Sequence, residues 1–238
     1  MENQFSRTRI LIGDKAVSLL KERHVAVFGV GGVGGYVCEA LARSGVGIFD
    51  LIDKDTVSIS NINRQIIATV DTIGKSKVEV MKDRILSINP DAIVNIHNTF
   101  YLPENAKDFD FSKYSYVVDA VDTVTAKISI IEEAKRNNVP IISSMGAGNK
   151  LDPLKFKVAD INQTKVCPLA RTVRYELKKR GITKVKVVYS EEESKNKEKL
   201  IDESTGKQVP GSISFIPSVC GLIIASEVIK DLTNNYVE

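Results

Sequence analysis

The chain has 238 residues, with 33 Lys and Arg against 30 Asp and Glu, a formal net charge of +3, 43% hydrophobic residues and 26% charged ones. This composition fits a soluble globular protein large enough to bury a real core, and it excludes a disordered chain or one that holds nucleic acid by net charge alone. Three cysteines (Cys38, Cys167, Cys220) without a CxxC spacing argue against a disulfide framework and against structural zinc.

Residues 5–22 carry Ile10, Leu11, Val17, Leu19 and Leu20, the pattern of an N-terminal helical layer. Arg7 and Arg9 precede it on an exposed arm, where a solvated face is the plain reading. The opening MENQFSRTRILIGDKA lacks the apolar core of a signal peptide, so the expected compartment is the cytosol. The run from Val25 to Val30 has the length and composition of a buried parallel strand. Glycines at 29, 31, 32 and 34 follow, then a helical stretch (Val37, Ala40, Leu41), then a second apolar run from Ile48 to Ile52 that ends at Asp53. Glycines let a backbone turn approach a phosphate, the helix start offers free N–H groups, and an acid after the second strand suits a ribose hydroxyl.

The segment after Asp53, rich in Ser, Asn and Asp, reads as a loop at the carboxyl end of that strand, delivering Asn61, Asn63, Arg64 and Gln65 toward the glycine turn. Ser76 is a candidate N-cap of a helix with Val78, Met81, Ile85 and Ile88 on one face, ended by Asn89-Pro90. Strands over 93–96 and 116–120, a helix over 125–137 and a strand over 140–144 continue the β–α rhythm. That rhythm predicts an α/β fold with a doubly wound, mostly parallel sheet. Residues 165–188 hold eight Lys or Arg against the single acid Glu176, residues 191–211 read as a polar loop, and Ile213–Ile229 reads as a buried apolar helix too interrupted to span a membrane. No linker divides the chain, so 1–238 is read as one domain, with a nucleotide-binding core over 1–160 and an extension over 161–238.

The carboxyl edge of such a sheet would gather Gly29 to Gly34, Asp53, Asn63, Arg64, Lys77 and Asp122. Arg and Lys neutralise phosphates, and a carboxylate such as Asp122 suits Mg²⁺ bridging phosphate oxygens, a set fitted to attack at a nucleotide phosphate. The motifs GVGGVG (29–34), LIDKDTVSISNINRQ (51–65), GKSK (74–77) and DAVD (119–122) resemble, in this order, those of the ubiquitin-activating-enzyme-like adenylyltransferases of ThiF, MoeB and HesA type. CPLARTVRYELKKRGI (167–182) and VPGSISFIPSVCGLIIASEVIKDL (209–232) look like one branch of them, the tRNA threonylcarbamoyladenosine dehydratases.

The resemblance implies ATP and Mg²⁺, with Gly29, Gly31, Gly32 and Gly34 on ATP, Asp53 on the ribose, and Asn63, Arg64 and Lys77 on the triphosphate. Asp122 would hold Mg²⁺, while Asp55, Ser60, Asn61 and Thr123 would complete the nucleotide site. It implies Arg64, Lys77, Asp122 and Arg7 as catalytic, with Arg7 reaching into the partner subunit's site of a homodimer. The implied reaction is ATP-dependent adenylation and cyclisation of the threonylcarbamoyl group at position 37 of tRNA. Lys165, Arg171, Arg174, Lys178, Lys179 and Arg180 would then bind tRNA phosphates, although a lysine-rich solvated helix face stays open as their bland reading. The zinc-binding CxxC pairs and the acceptor cysteine of sulfur-carrier activators are missing. Adenylation of a ubiquitin-like sulfur carrier remains the alternative, and a NAD-dependent oxidoreductase the next. A cysteine-desulfurase system as partner and peripheral membrane contact are left open. The Tyr175–Lys179 spacing reads as coincidence, and Cys38 and Cys220 as core.

Overall fold

The computed structural model describes residues 2–194, 200–201 and 208–233. Helix α1 (Ser6–Lys21) leads into strand β1 (His24–Phe28), followed by α2 (Gly34–Ser44), β2 (Ile48–Ile52), α3 (Lys77–Ile88), β3 (Ile93–His97), β4 (Tyr116–Asp119), α4 (Val124–Arg136) and β5 (Ile141–Ser144). Next come β6 (Phe156–Asp160), α5 (Pro168–Lys179), β7 (Lys186–Ser190), the short β8 (Leu200–Ile201) and β9 (Gln208–Val209), and α6 (Phe215–Thr233). Seven strands form one sheet in the order β3-β2-β1-β4-β5-β7-β6, with β8 and β9 paired apart from it. All neighbours in the large sheet are parallel except β6, which runs antiparallel to β7. The strand order reverses between β1 and β4, so a crevice opens at the carboxyl ends there.

The pleat of β1 sorts the core. Val25 and Val27 face a layer with α2, α3 and α6, where Leu41, Met81, Ile85, Ile216 and Ile224 pack. Ala26 and Phe28 face the other layer, with Ile130 of α4, Val173 and Leu177 of α5, and an aromatic group of Tyr101, Phe109 and Phe111. Phe28 stacks on Phe111 at 5.6 Å between ring centres and meets Tyr101 edge-on at 5.0 Å. Burial on both faces explains why β1 and β4 read as continuous apolar runs rather than alternating ones.

The structure departs from the sequence reading at several points. Arg7 and Arg9 are not on an arm but inside α1, which breaks at Gly13, where φ is 82°; Arg9 Nε lies 2.9 Å from the Asp14 carboxylate. The expected apolar layer is only half realised. Ala16 and Leu20 are buried, whereas Ile10 and Leu11, ahead of the break, are 82% and 83% exposed. Ser76 stands at the N-cap of α3 but its side chain makes no capping bond, and its hydroxyl oxygen is buried with no partner among the described residues. The sequence reading missed two strands, β6, which precedes the basic segment 165–188, and β7, whose start at Lys186 falls at its end. Lys186, counted among the eight basic residues of that segment, belongs to β7 and donates to Asp231 (2.7 Å) and Glu227 (3.3 Å) on α6. Of the loop 191–211, residues 195–199 and 202–207 lie outside the described residues. Among the described residues no helix is long and apolar enough to cross a membrane.

One polar cluster was invisible in the sequence. The buried Asp50 of β2 accepts hydrogen bonds from His24 Nε2 (2.7 Å), His97 Nε2 (3.0 Å), Asn95 Nδ2 (2.7 Å) and the Tyr114 hydroxyl (3.0 Å). Strand register brings them together, since Asp50 lies beside Asn95 across the β2–β3 pair. Burial by itself would raise this carboxyl. The bonds from His24, His97 and Asn95 outweigh it and hold Asp50 well below the usual carboxylate range.

A carboxyl depressed in the folded state stabilises the fold above its unfolded pKa, ~3.9, and that contribution is lost as the pH falls below it. Asp50→Asn is expected to cost on the order of 2 kcal/mol at neutral pH. In urea unfolding, the gap between wild type and variant should shrink between about pH 5 and pH 2. A gap constant with pH would show that Asp50 is not the titrating group.

Candidate functional site

At the switch point lies a cleft of about 340 Å³ lined by Gly29, Gly31, Gly32, Asp53, Lys54, Asp55, Arg64, Gln65, Lys77, Thr99–Tyr101, Ala120–Thr123 and, at its other end, Ser144, Met145, Ala147, Gly148, Leu169, Pro210, Ser212 and Pro217. Its shape starts with Gly29, which has φ 88°; a Cβ there would sit 2.7 Å from the Ala120 carbonyl oxygen. A Cβ at Gly34 would in turn fall 1.8 Å from the Gly29 carbonyl oxygen. The turn therefore packs against the end of β4 only because both positions lack side chains. Gly31, Gly32 and Val33 line the cleft just before α2, at the positive end of that helix.

Asp53 closes one end. Its Oδ2 accepts from Val30 N at 2.8 Å and its Oδ1 from Asp55 N at 2.9 Å. Each oxygen keeps acceptor capacity for a hydroxyl. Beyond it, Thr99–Tyr101 form a wall after β3, with Lys54 Nζ 4.5 Å from the centre of the Phe100 ring. Lys77, in the first turn of α3, is only 5% exposed, and its ammonium donates to Asp55 Oδ2 at 2.8 Å. The salt bridge aims the cation along the cleft while leaving Asp55 half exposed. Arg64 Nη1 donates to the Ser60 carbonyl (2.7 Å) and to Asn63 Oδ1 (2.9 Å); its other guanidinium nitrogens have no partner among the described residues. Asp122 is exposed on the cleft wall, and its carboxylate likewise has no partner among the described residues.

Not every expected residue reaches the cleft. Ser60 pairs its hydroxyl with Ser58, and Asn61 is buried, capping the turn at 58–61 through Ser58 N. Asn63 donates through Nδ2 to the Ser212 carbonyl at 2.9 Å, tying this loop to the segment before α6. Gly34 is buried beneath the turn, and Arg7 lies exposed on α1, away from this chain's own cleft. Among the basic residues, Lys165, Arg171 and Lys178 are exposed. Lys179 and Arg180 pair with Glu176, and Arg174 turns inward to the Thr164 carbonyl at 2.9 Å. The Tyr175–Lys179 spacing places the ammonium 4.1 Å from the ring centre, a surface cation–π contact. All three cysteines are free and buried, and burial pushes the Cys220 thiol up to about 12.

Gln65, which the sequence brings toward the glycine turn, does line the cleft beside Gly31; it is 7% exposed, and its buried Oε1 has no partner among the described residues. One feature escaped the sequence reading, the floor. Lys127 Nζ donates to Asp119 Oδ2 (2.7 Å), the Ser144 carbonyl (2.9 Å) and Ser143 Oγ (3.3 Å), while Ser143 also donates to Asp119 and Val121 N to Asp119 Oδ1. Both charged side chains are fully buried. Burial pushes the Asp119 carboxyl up, with the Lys127 ammonium and Ser143 hydroxyl pulling the other way. Of the two acids in DAVD, one is thus the floor and the other faces the cleft.

Lys127→Met leaves a buried carboxylate without its cation and is expected to cost about 3–5 kcal/mol of stability. Adding Asp119→Val to it should recover most of that loss in thermal or urea unfolding. If Lys127→Met alone is as stable as wild type, the floor is not held by charge.

The chain is similar to known proteins along its whole length. Residues 5–238 match the model of the ThiF family. The chain is 46% identical over 242 residues to the tRNA threonylcarbamoyladenosine dehydratase of Bacillus subtilis (strain 168), covering 98% of this chain and 95% of the relative. It also superposes on the tRNA N6-threonylcarbamoyladenosine dehydratase TcdA of E. coli, solved in complex with AMP and in complex with ATP. The TM-score is 0.87 in both cases, at 36% and 35% identity, covering 98% of this chain and 94% of that one.

Proposed function

The chain belongs to the ThiF family, and from that premise we propose that it catalyses the ATP-dependent dehydration of threonylcarbamoyladenosine in tRNA. The observation that carries the reading is the cleft itself, where the glycine turn, the cations Arg64 and Lys77 and the exposed carboxylate of Asp122 converge. A dinucleotide oxidoreductase would leave Arg64, Lys77 and Asp122 without a task.

The geometry suits adenylation. Asp53 takes the ribose hydroxyls, and the N–H groups after Gly31 take phosphate oxygens. Lys77 and Arg64 neutralise the charge that builds up as the substrate carboxylate attacks the α-phosphorus and pyrophosphate departs. Asn63 orients Arg64 through the bond to its Nη1. A nucleophile within the modified base then attacks the activated carbonyl carbon and closes the ring. AMP leaves with the former carboxylate oxygen, so the net change is loss of one water. Asp122 would hold Mg²⁺. A single unpaired carboxylate fits a cation that takes its remaining ligands from phosphate oxygens and water. When bound, the ion neutralises phosphate charge.

The tRNA would lie along α5 and the residues just before it, where Lys165, Arg171 and Lys178 are exposed and the exposed pairs of Lys179 and Arg180 can exchange Glu176 for phosphate. We read the protein as a homodimer in which Arg7 serves the partner subunit. This is supported by its exposure away from its own cleft, beside the uncovered Ile10 and Leu11.

Incubating threonylcarbamoylated tRNA with the protein, ATP and Mg²⁺ should yield a nucleoside lighter by one water in mass spectrometry, and none without ATP. An unchanged nucleoside beside an active control would move the reading to a protein carboxyl terminus. Arg64→Ala and Asp122→Ala should keep the melting temperature and lower turnover by roughly 10²-fold or more. Mixing inactive Arg7→Ala with inactive Asp122→Ala should restore activity, because each hybrid dimer keeps one intact site. Failure of exchanged subunits to recover would remove Arg7 from the partner's site.

A further inference from the structure

The end of the cleft remote from Asp53 is walled by a short strap, the residues between β9 and α6, of which Pro210 and Ser212 line the cleft. Three attachments hold it. Asn149 N donates to the Gly211 carbonyl at 2.7 Å, and Gly211 N donates back to Asn149 Oδ1 at 2.6 Å. Asn149 can face both groups because its backbone is left-handed, φ 60°, a conformation asparagine tolerates better than most residues. Pro210 seats directly on Gly148, where a Cβ would lie 2.8 Å from the proline ring. The third attachment is the Asn63 amide, which reaches the Ser212 carbonyl on one side and Arg64 on the other.

We propose that this strap positions the carboxylate-bearing arm of the substrate, and that Asn149 is the positioning residue that holds it there. The proposal rests on the dehydratase reading above and assigns the second substrate a place within that site. The nucleotide leaves this end free: ribose at Asp53 and phosphates at the glycine turn fill the opposite end and the middle. A carboxylate attacking the α-phosphorus has to come from the remaining side, between the strap and Leu169. Leu169 is the second residue of α5, and the exposed Lys165 and Arg171 flank it, so the strap end opens beside the cations of the tRNA face.

Asn149→Gly keeps the left-handed backbone and deletes the side-chain acceptor; Asn149→Asp keeps the acceptor. With one hydrogen bond at stake, Asn149→Gly should raise KM for threonylcarbamoylated tRNA by about 10-fold while the Kd for ATP stays within about 2-fold of wild type. Asn149→Asp should bring KM most of the way back. Pro210→Gly, which loosens the strap without removing a hydrogen bond, should show the same split, so the proposal stays testable if Asn149→Gly folds poorly. Unchanged KM in folded variants overturns it, and so does a parallel loss of ATP affinity, which would make the strap part of the nucleotide site or of the fold at large. A wild-type protein that binds ATP but leaves the modified tRNA untouched overturns the dehydratase reading and this proposal with it, an outcome distinct from both.

Discussion

The arrangement of this site depends on one buried ion pair. Asp119 and Lys127 lie wholly out of water at the carboxyl ends of β4 and β5. Taking two such charges from solvent costs several kcal/mol each, and their attraction offsets this only with good geometry and further hydrogen bonds. Those bonds are present: Ser143, the Ser144 carbonyl and Val121 N complete the set. The consequence is positional. The pair ties β4, α4 and β5 to one point, fixing the Ala120–Asp122 loop that forms the floor of the cleft. The glycine turn closes onto that loop with the Ala120 carbonyl occupying the space a side chain at position 29 would need.

Above this floor the walls are built differently. The floor is made of buried groups, whereas exposed hydrogen bonds join Asn63 and Asn149 to the strap and hold Arg64 within its own loop. Exposed bonds of this kind contribute little to stability and exchange readily with water or ligand. A rigid floor with adjustable walls suits a reaction that must admit ATP and a macromolecule, neutralise phosphate charge, and release AMP with pyrophosphate. Lys77 shares both characters, being buried along its stem and paired at its tip with a half-exposed acid that a phosphate can displace.

The charges follow the same division of labour. Lys186 is spent on α6, and Arg174 on the loop before α5, so both hold the fold together. Lys165, Arg171 and Lys178 remain exposed in and just before α5, on a protein whose net charge is only +3. Local distribution, not total charge, is what a phosphate backbone meets. On α1 the break at Gly13 separates a half that packs with the core from a half whose isoleucine and leucine are uncovered.

The sequence by itself determined the β–α alternation, the glycine turn with Asp53 behind it, and the approach of Arg64, Lys77 and Asp122 to one sheet edge. Local rules suffice for this: strands of a parallel sheet end at the same edge, so residues just past them converge whatever the intervening lengths. The family motifs were legible for the same reason, since each lies within one turn and its flanking elements. Tertiary structure alone decided which acid of DAVD is floor and which faces the cleft, because both stand at the end of β4 and only Lys127, eight residues on, tells them apart. It alone brought His24, Asp50, Asn95, His97 and Tyr114 together, through strand register. It also turned Asn63 toward the strap, drew Arg174 and Lys186 into the fold while leaving Lys165, Arg171 and Lys178 exposed, and left Ile10 and Leu11 uncovered. These outcomes depend on which side chains meet in space, most of them far apart along the chain, or on whether a neighbouring surface exists to cover an apolar face, and periodicity along the chain carries no information about either.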